Sequence, residues 1–159
     1  MYNCHILVGV PASGKSTLAR KMGLTVFSTD DIITEIASGY GMTYNESFKD
    51  LIGFAEKIFW RGIDMGARQG IDMIIDRTNL SIKSRSKIIE AVRAHGDYRI
   101  HVHEFLVPHK TEWERRLTSR PGKTIPRDVL ENMVRTQADN PVKMDEGIDT
   151  YTCYPAKSD

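Results

Sequence analysis

The chain has 159 residues, of which 40% are hydrophobic and 27% charged, and carries a formal net charge of +1. That length suits one domain with a core large enough to stand without staples, and no apolar run approaches the ~18 residues of a membrane span. Near-neutral charge argues against a polyanion binder that works by overall charge, and two cysteines at opposite ends, Cys4 and Cys153, exclude a disulfide framework.

"MYNCHILVGV" lacks the basic leader and small-residue cleavage site of a signal peptide, so a cytoplasmic protein with reduced thiols is expected. Within it, "HILVGV" (5–10) predicts a strand buried on both faces, and a helix should follow from Lys15 to about Met22. "TVFS" (25–28) predicts a second strand. "DDIITEIA" (30–37) opens on two carboxylates that suit a helix N-terminus, with Asp31 the better cap. Residues 44–66 space apolar side chains by three, four and seven, which predicts a long amphipathic helix behind a Thr43/Glu46 capping box. "DMIID" (72–76) predicts a third strand, 81–94 a helix and "YRIHVHEFLV" (98–107) a fourth strand. "HKTEWERRLTSR" (109–120) predicts a helix that "RPGKTIP" breaks, and Pro126 can open a last one. The tail 139–159 has no clear period.

Alternating strands and helices imply βαβ units and so an α/β fold, a parallel sheet of four or five strands flanked by helices in three layers. Ligands in such sheets bind beyond the carboxyl ends of the strands. There the chain places "GVPASGKS", "STDD", "DRTN" and a basic segment. From Val107 to Arg127 six basic residues face two acidic ones, a local +4 that leaves −3 for the rest of a chain at +1. That segment is suited to anions.

Gly9, Gly14, Lys15 and Ser16 satisfy G-x-x-x-x-G-K-[ST] in a strand–loop–helix context. Backbone N–H groups must point inward around phosphate oxygens, which requires residues tolerant of unusual φ/ψ. Lys15 would reach the β- and γ-phosphates, and the Ser16 hydroxyl would bind Mg²⁺. The expected ATP-binding stretch is Gly9, Pro11, Ala12, Ser13, Gly14, Lys15, Ser16 and Thr17, for ATP or another nucleoside triphosphate. No N-K-x-D guanine motif is present, and large motor ATPases need more chain, so a small kinase fits the length. Such an enzyme needs a carboxylate near the acceptor hydroxyl and basic groups around the transferred phosphoryl.

"GVPASGKST", "STDDII", "IIDRTNLS" and "RRLTSRPGKTIPRDVLENM" resemble, in order and spacing, the P-loop kinase domain of bacteriophage-type polynucleotide 5′-hydroxyl kinases and their small AAA_33-like and zeta-toxin-like relatives, over roughly residues 3–138. The resemblance implies a nucleoside-kinase-like P-loop NTPase fold with an Arg-rich lid at about 114–127. It implies Asp30 as general base, with Arg120 and Arg116 stabilising the transferring phosphoryl group and reaching ATP. Thr78 and Asn79 would face the acceptor, and Asp76 would hold the Mg²⁺ shell through water. Ile33 stands where the family usually carries an arginine, and Arg77 would restore a positive charge from the other wall.

Plainer roles stand beside these: capping for Asp30, a buried pairing with Lys15 or a hydroxyl for Asp76, a turn and cap for Thr78 and Asn79, and a solvated helix face for Arg116. Lys83, Arg85 and Lys87 read as a solvated face that could also track a nucleic-acid backbone. His101 and His103 have metal-like spacing without an identifiable third ligand, and Trp60 and Trp113 read as packing. The expected function is a DNA- or RNA-directed kinase, first a polynucleotide 5′-hydroxyl kinase. The alternatives are a phage-type DNA-modifying kinase acting on the hydroxymethyl of 5-hydroxymethyluracil, a small-molecule kinase, and a nucleotide-binding switch without transfer. A nucleic-acid partner and no membrane are expected, with oligomeric state open.

Overall fold

The β-branched runs form the strands. In a computed structural model that describes residues 1–156, β1 (Tyr2–Val8), β2 (Thr25–Phe27), β3 (Met73–Asp76), β4 (Tyr98–Phe105) and β5 (Thr150–Tyr154) make one parallel sheet in the order β2-β3-β1-β4-β5. β1 starts earlier than its apolar run suggests, because Tyr2 pairs with Tyr98 and Val8 with Glu104, while Gly9 and Val10 leave the sheet for the loop beyond. β5 supplies the fifth strand that the fold class allowed, in the tail where the sequence showed no clear period. Residues 157–159 of the expected domain lie outside the described residues.

The helices are α1 (Lys15–Met22), α2 (Thr29–Gly39), α3 (Tyr44–Gln69), α4 (Ile82–Arg93), α5 (Lys110–Thr118) and α6 (Arg127–Asp139). One face of the sheet buries Cys4, Ile6, Val8, Ile75 and Val102 against Phe59 and Ile63 of α3 and Ile88 and Val92 of α4. On the other face Leu7 and Ile74 pack against Ala19 of α1. The central strands are thus covered twice, as their unbroken apolar sequences require. α3 obeys its expected period only in part: Ala55, Phe59, Ile63 and Ala67 are buried, whereas Phe48 and Ile58 are exposed. The Thr43/Glu46 capping box forms with both reciprocal hydrogen bonds.

Arg85 departs furthest from the solvated face expected of it. It is fully buried, with its Nε 2.8 Å from Glu146 Oε1 and its Nη atoms donating to the carbonyls of Asn79, Leu80 and Asn140. It pins the start of α4 to the 3₁₀ turn Met144–Glu146 and so leads the chain into β5. No helix among the described residues is long and apolar enough to cross a membrane.

Candidate active site

The carboxyl ends of the strands open into a cavity of about 730 Å³ lined by the loop after β1, the start of α2, the end of β3 and the end of α5. The loop has the backbone its sequence demands. Gly14 sits at φ 110 in front of α1, and a Cβ on Gly9 would lie 2.7 Å from Ser13 Oγ and 3.1 Å from Phe105. Ala12 is at φ 61, a costly conformation for a residue with a side chain and the kind of strain that collects at ligand sites. Lys15 is buried, its Nζ donating to the carbonyls of Gly9 and Val10 at 2.8 Å each. Burial pulls its pKa down to about 8, against the opposing pull of Asp76 and Asp30. The Ser16 hydroxyl donates to Asp76 at 3.1 Å. Burial raises the pKa of Asp76 in spite of Lys15 and that hydrogen bond.

Asp30 does not cap its helix. Ser28 does, accepting from the Asp31 N–H at 3.2 Å, which also removes the cap role expected of Asp31. Asp30 instead accepts from the Tyr44 hydroxyl at 2.8 Å and from Lys123 Nζ at 2.6 Å. Burial alone would raise its pKa, but Lys123, Tyr44 and Arg120 together hold the carboxyl below its usual range. Asp31 lines the same cavity with its pKa raised by burial and by Asp76 and Asp30.

Arg116 donates to Glu112 at 2.7 Å and to the Ala12 carbonyl at 3.2 Å, and the Trp113 indole donates to the Pro11 carbonyl at 2.7 Å. α5 is thereby fastened over the phosphate loop. Among the described residues, Arg120 Nη2 is a buried donor with no acceptor. A buried unanswered guanidinium donor costs free energy unless an anion reaches it, so Arg120 fits a phosphate ligand.

The acceptor side is less as expected. Arg77 pairs with Glu56 at 2.8 Å and lies 4.6 Å from the Phe59 ring centroid, so its charge is already answered. Thr78 lines the cavity, but the buried Asn79 amide turns away from it to donate to the Leu7 carbonyl at 2.8 Å, at φ 47, locking the end of β3 to β1. Ile33 is wholly buried, so its position faces the core, and Thr34 lines the cavity instead.

Sequence reasoning did not find Tyr44, Lys123, Phe105, Tyr154 or Pro155. The last three wall the apolar end of the cavity, where the Phe105 and Tyr154 rings stack 4.6 Å apart. The "KTIP" of the lid was a signal for Lys123; Phe105 ends β4, and Tyr44, Tyr154 and Pro155 are brought in by α3 and the end of β5. His101 and His103 are joined by His5, whose ring stacks on His101 at 4.7 Å and whose Nδ1 is 3.0 Å from His103 Nε2. Burial lowers all three pKa values, to about 4 for His5. They form a neutral hydrogen-bonded patch. Among the described residues no group of three or more His, Cys, Asp or Glu side chains is placed to hold a metal.

A phosphate loop leading out of the middle strand of a parallel β2-β3-β1-β4-β5 sheet, under an arginine-bearing lid, defines a P-loop kinase. The chain belongs to the AAA_33 family, whose model, described as an AAA domain, matches residues 4–140. No curated protein matches. Among solved structures, a protein provisionally termed a kinase from Chloroflexus aurantiacus is similar at TM-score 0.70 and 15% identity, over 97% of this chain and 88% of its own. A chain of the Pnkp1/Rnl/Hen1 RNA repair complex is similar at TM-score 0.64 and 24% identity, over 93% of this chain and 46% of its own. A sugar kinase from Janibacter sp. follows at TM-score 0.60 and 18% identity, over 98% of this chain and 86% of its own. At these identities the likeness is one of fold, and the fold implies nucleotide binding.

Proposed function

We propose that the chain, acting as one domain in the cytoplasm, transfers the γ-phosphate of ATP or another nucleoside triphosphate to a hydroxyl of a nucleic acid, first of all a polynucleotide 5′-hydroxyl. One observation carries this: Asp30, a carboxylate with no capping duty, lines the same cavity as the phosphate loop and Arg120, whose buried Nη2 donor is unanswered.

The loop amides and Lys15 hold the triphosphate, and the apolar wall of Phe105, Leu106 and Pro155 suits its base. Ser16, whose hydroxyl lies 3.1 Å from Asp76, and through water Asp76 itself would hold Mg²⁺, which would neutralise charge on the β- and γ-oxygens. Asp30 takes the proton of the acceptor hydroxyl as its oxygen bonds to the γ-phosphorus, and the bond from that phosphorus to the bridging oxygen breaks with its electron pair going to the departing diphosphate. Arg120, with Arg116 from α5, balances charge on the equatorial oxygens. Thr78 and, from the same strand end, Arg77 border the acceptor. That one neighbour in fold is part of an RNA repair complex supports a nucleic-acid acceptor.

A small-molecule acceptor is favoured by a different observation. Arg77 is neutralised by Glu56 and position 33 is in the core, so the acceptor end offers little free positive charge to a backbone phosphate.

Labelled γ-phosphate offered with a panel of acceptors separates the readings. Label is expected on 5′-hydroxyl DNA or RNA and not on the same strand blocked by a 5′-phosphate. Label on blocked duplex DNA containing 5-hydroxymethyluracil replaces the end kinase with the DNA-modifying one, and label confined to small alcohols makes it a small-molecule kinase. No label on any acceptor leaves a nucleotide-binding switch.

A further inference from the structure

Both oxygens of Asp30 are taken: Oδ1 by the Tyr44 hydroxyl and Oδ2 by the Lys123 ammonium. The same ammonium lies 4.3 Å from the Tyr44 ring centroid, within cation–π range. Its backbone is gripped on both sides. Asn45 N–H donates to the Gly122 carbonyl at 3.1 Å, Thr124 N–H donates to Asn45 Oδ1 at 3.1 Å, and Asn45 Nδ2 donates to the Thr124 carbonyl at 3.2 Å. Gly122, at φ 70, lies so close to Thr43 that a Cβ there would be 2.7 Å from the threonine Cβ. The lid segment 122–124 is therefore strapped to the N-terminus of α3, on the acceptor side of the cavity, with Lys123 aimed inward and its side chain only 18% exposed.

A half-exposed carboxylate beside a bound triphosphate has a wasteful partner in water, which is always present. In that side reaction a water oxygen bonds to the γ-phosphorus, one water proton goes to Asp30, and the bond to the bridging oxygen breaks toward the diphosphate, giving inorganic phosphate. We infer that Lys123 is a specificity-determining residue that withholds Asp30 from water, and that the acceptor hydroxyl obtains the carboxylate by displacing this ammonium. This rests on the reading of Asp30 as the base. A water molecule brings no binding energy with which to break a 2.6 Å ion pair, whereas a bound acceptor brings the energy of its remaining contacts. The displaced ammonium stays in a cavity shared with Lys15, Arg116 and Arg120, where transferred charge develops. Once Lys123 has left, burial is the largest influence on Asp30 and raises its pKa, making it a better proton acceptor as the hydroxyl arrives.

The test is ATP hydrolysis without any acceptor, with ATP binding measured by calorimetry alongside. Lys123→Met, which keeps the length and removes the charge, should raise acceptor-free hydrolysis at least ~10-fold, a tenth of the low end of what a general base supplies. Lys123→Arg, which keeps the charge, should leave hydrolysis near the parent level. Hydrolysis by Lys123→Met at or below the parent rate with ATP still bound overturns the guarding role alone. Adding Asp30→Asn to Lys123→Met should return hydrolysis to the parent level; a rise that survives this change overturns Asp30 as the base, and the proposal with it.

Discussion

Lys15 has its ammonium turned onto the Gly9 and Val10 carbonyls, and burial brings its pKa to about 8. A triphosphate needs the charged form, so ATP binding should draw a proton from solution near and above pH 8 and weaken as pH rises through that value. Calorimetric titrations at pH 8.5 in two buffers of different ionisation enthalpy read this directly: apparent enthalpies that differ indicate uptake, and equal ones contradict it. Lys15 and Asp30 were legible in the sequence because each sits at a fixed offset from a strand end, where local pattern decides position. Tyr44 and Lys123 were not, since their contacts with Asp30 close across 14 and 93 residues. The same limit explains Asn79. Its place after β3 was readable, but that its amide answers Leu7 72 residues away was not.

At the scale of elements, the chain's end is held by one buried side chain. Arg85 meets Glu146 and three carbonyls, so Arg85→Ala takes the ion-pair partner from Glu146, whose side chain is 8% exposed, and one donor from each of those carbonyls. Removing one partner of a buried pair costs roughly 3–5 kcal/mol. The urea midpoint should fall accordingly, and a loss below ~1 kcal/mol, the size of a surface pair, would show that the contact does not secure the tail. The spacing of Arg85 to Ile88, Ile89 and Val92 puts it on the buried face of α4, but an arginine is seldom buried without a partner, and Glu146 lies 61 residues further along the chain. β5 escaped for a related reason. "TYTCY" has β-branched and aromatic residues, but Thr150, Thr152 and Cys153 are exposed, so the strand has no buried face to give it a period. The central strands and α3 were readable because burial imposes apolar runs and helical spacing on them. α3 ran three residues past its expected end to Gly70, whose left-handed φ of 68 closes it.

Across the whole molecule the order β2-β3-β1-β4-β5 brings four chain segments to one edge of the sheet, and in the proposed reaction each would serve a different part of phosphoryl transfer. The loop after β1 would take the phosphates, the start of α2 presents Asp30, the end of β3 presents Asp76, and the segment after β4 returns over the loop through Trp113 and Arg116. This convergence follows from strands alternating with helices, which is why the location of the site was foreseeable while the acceptor was not. The acceptor wall is built from α2, α3 and the lid, elements whose mutual packing depends on Asn45, Gly122 and Thr43 rather than on any motif. The central claim is that Asp30 activates an acceptor hydroxyl beside a loop that holds ATP independently. Transfer of γ-phosphate to a 5′-hydroxyl oligonucleotide, measured for the parent and for Asp30→Asn with ATP affinity determined in parallel, tests it most directly. The expected result is a loss of transfer of at least ~100-fold with ATP affinity retained. Transfer by Asp30→Asn close to that of the parent would contradict it.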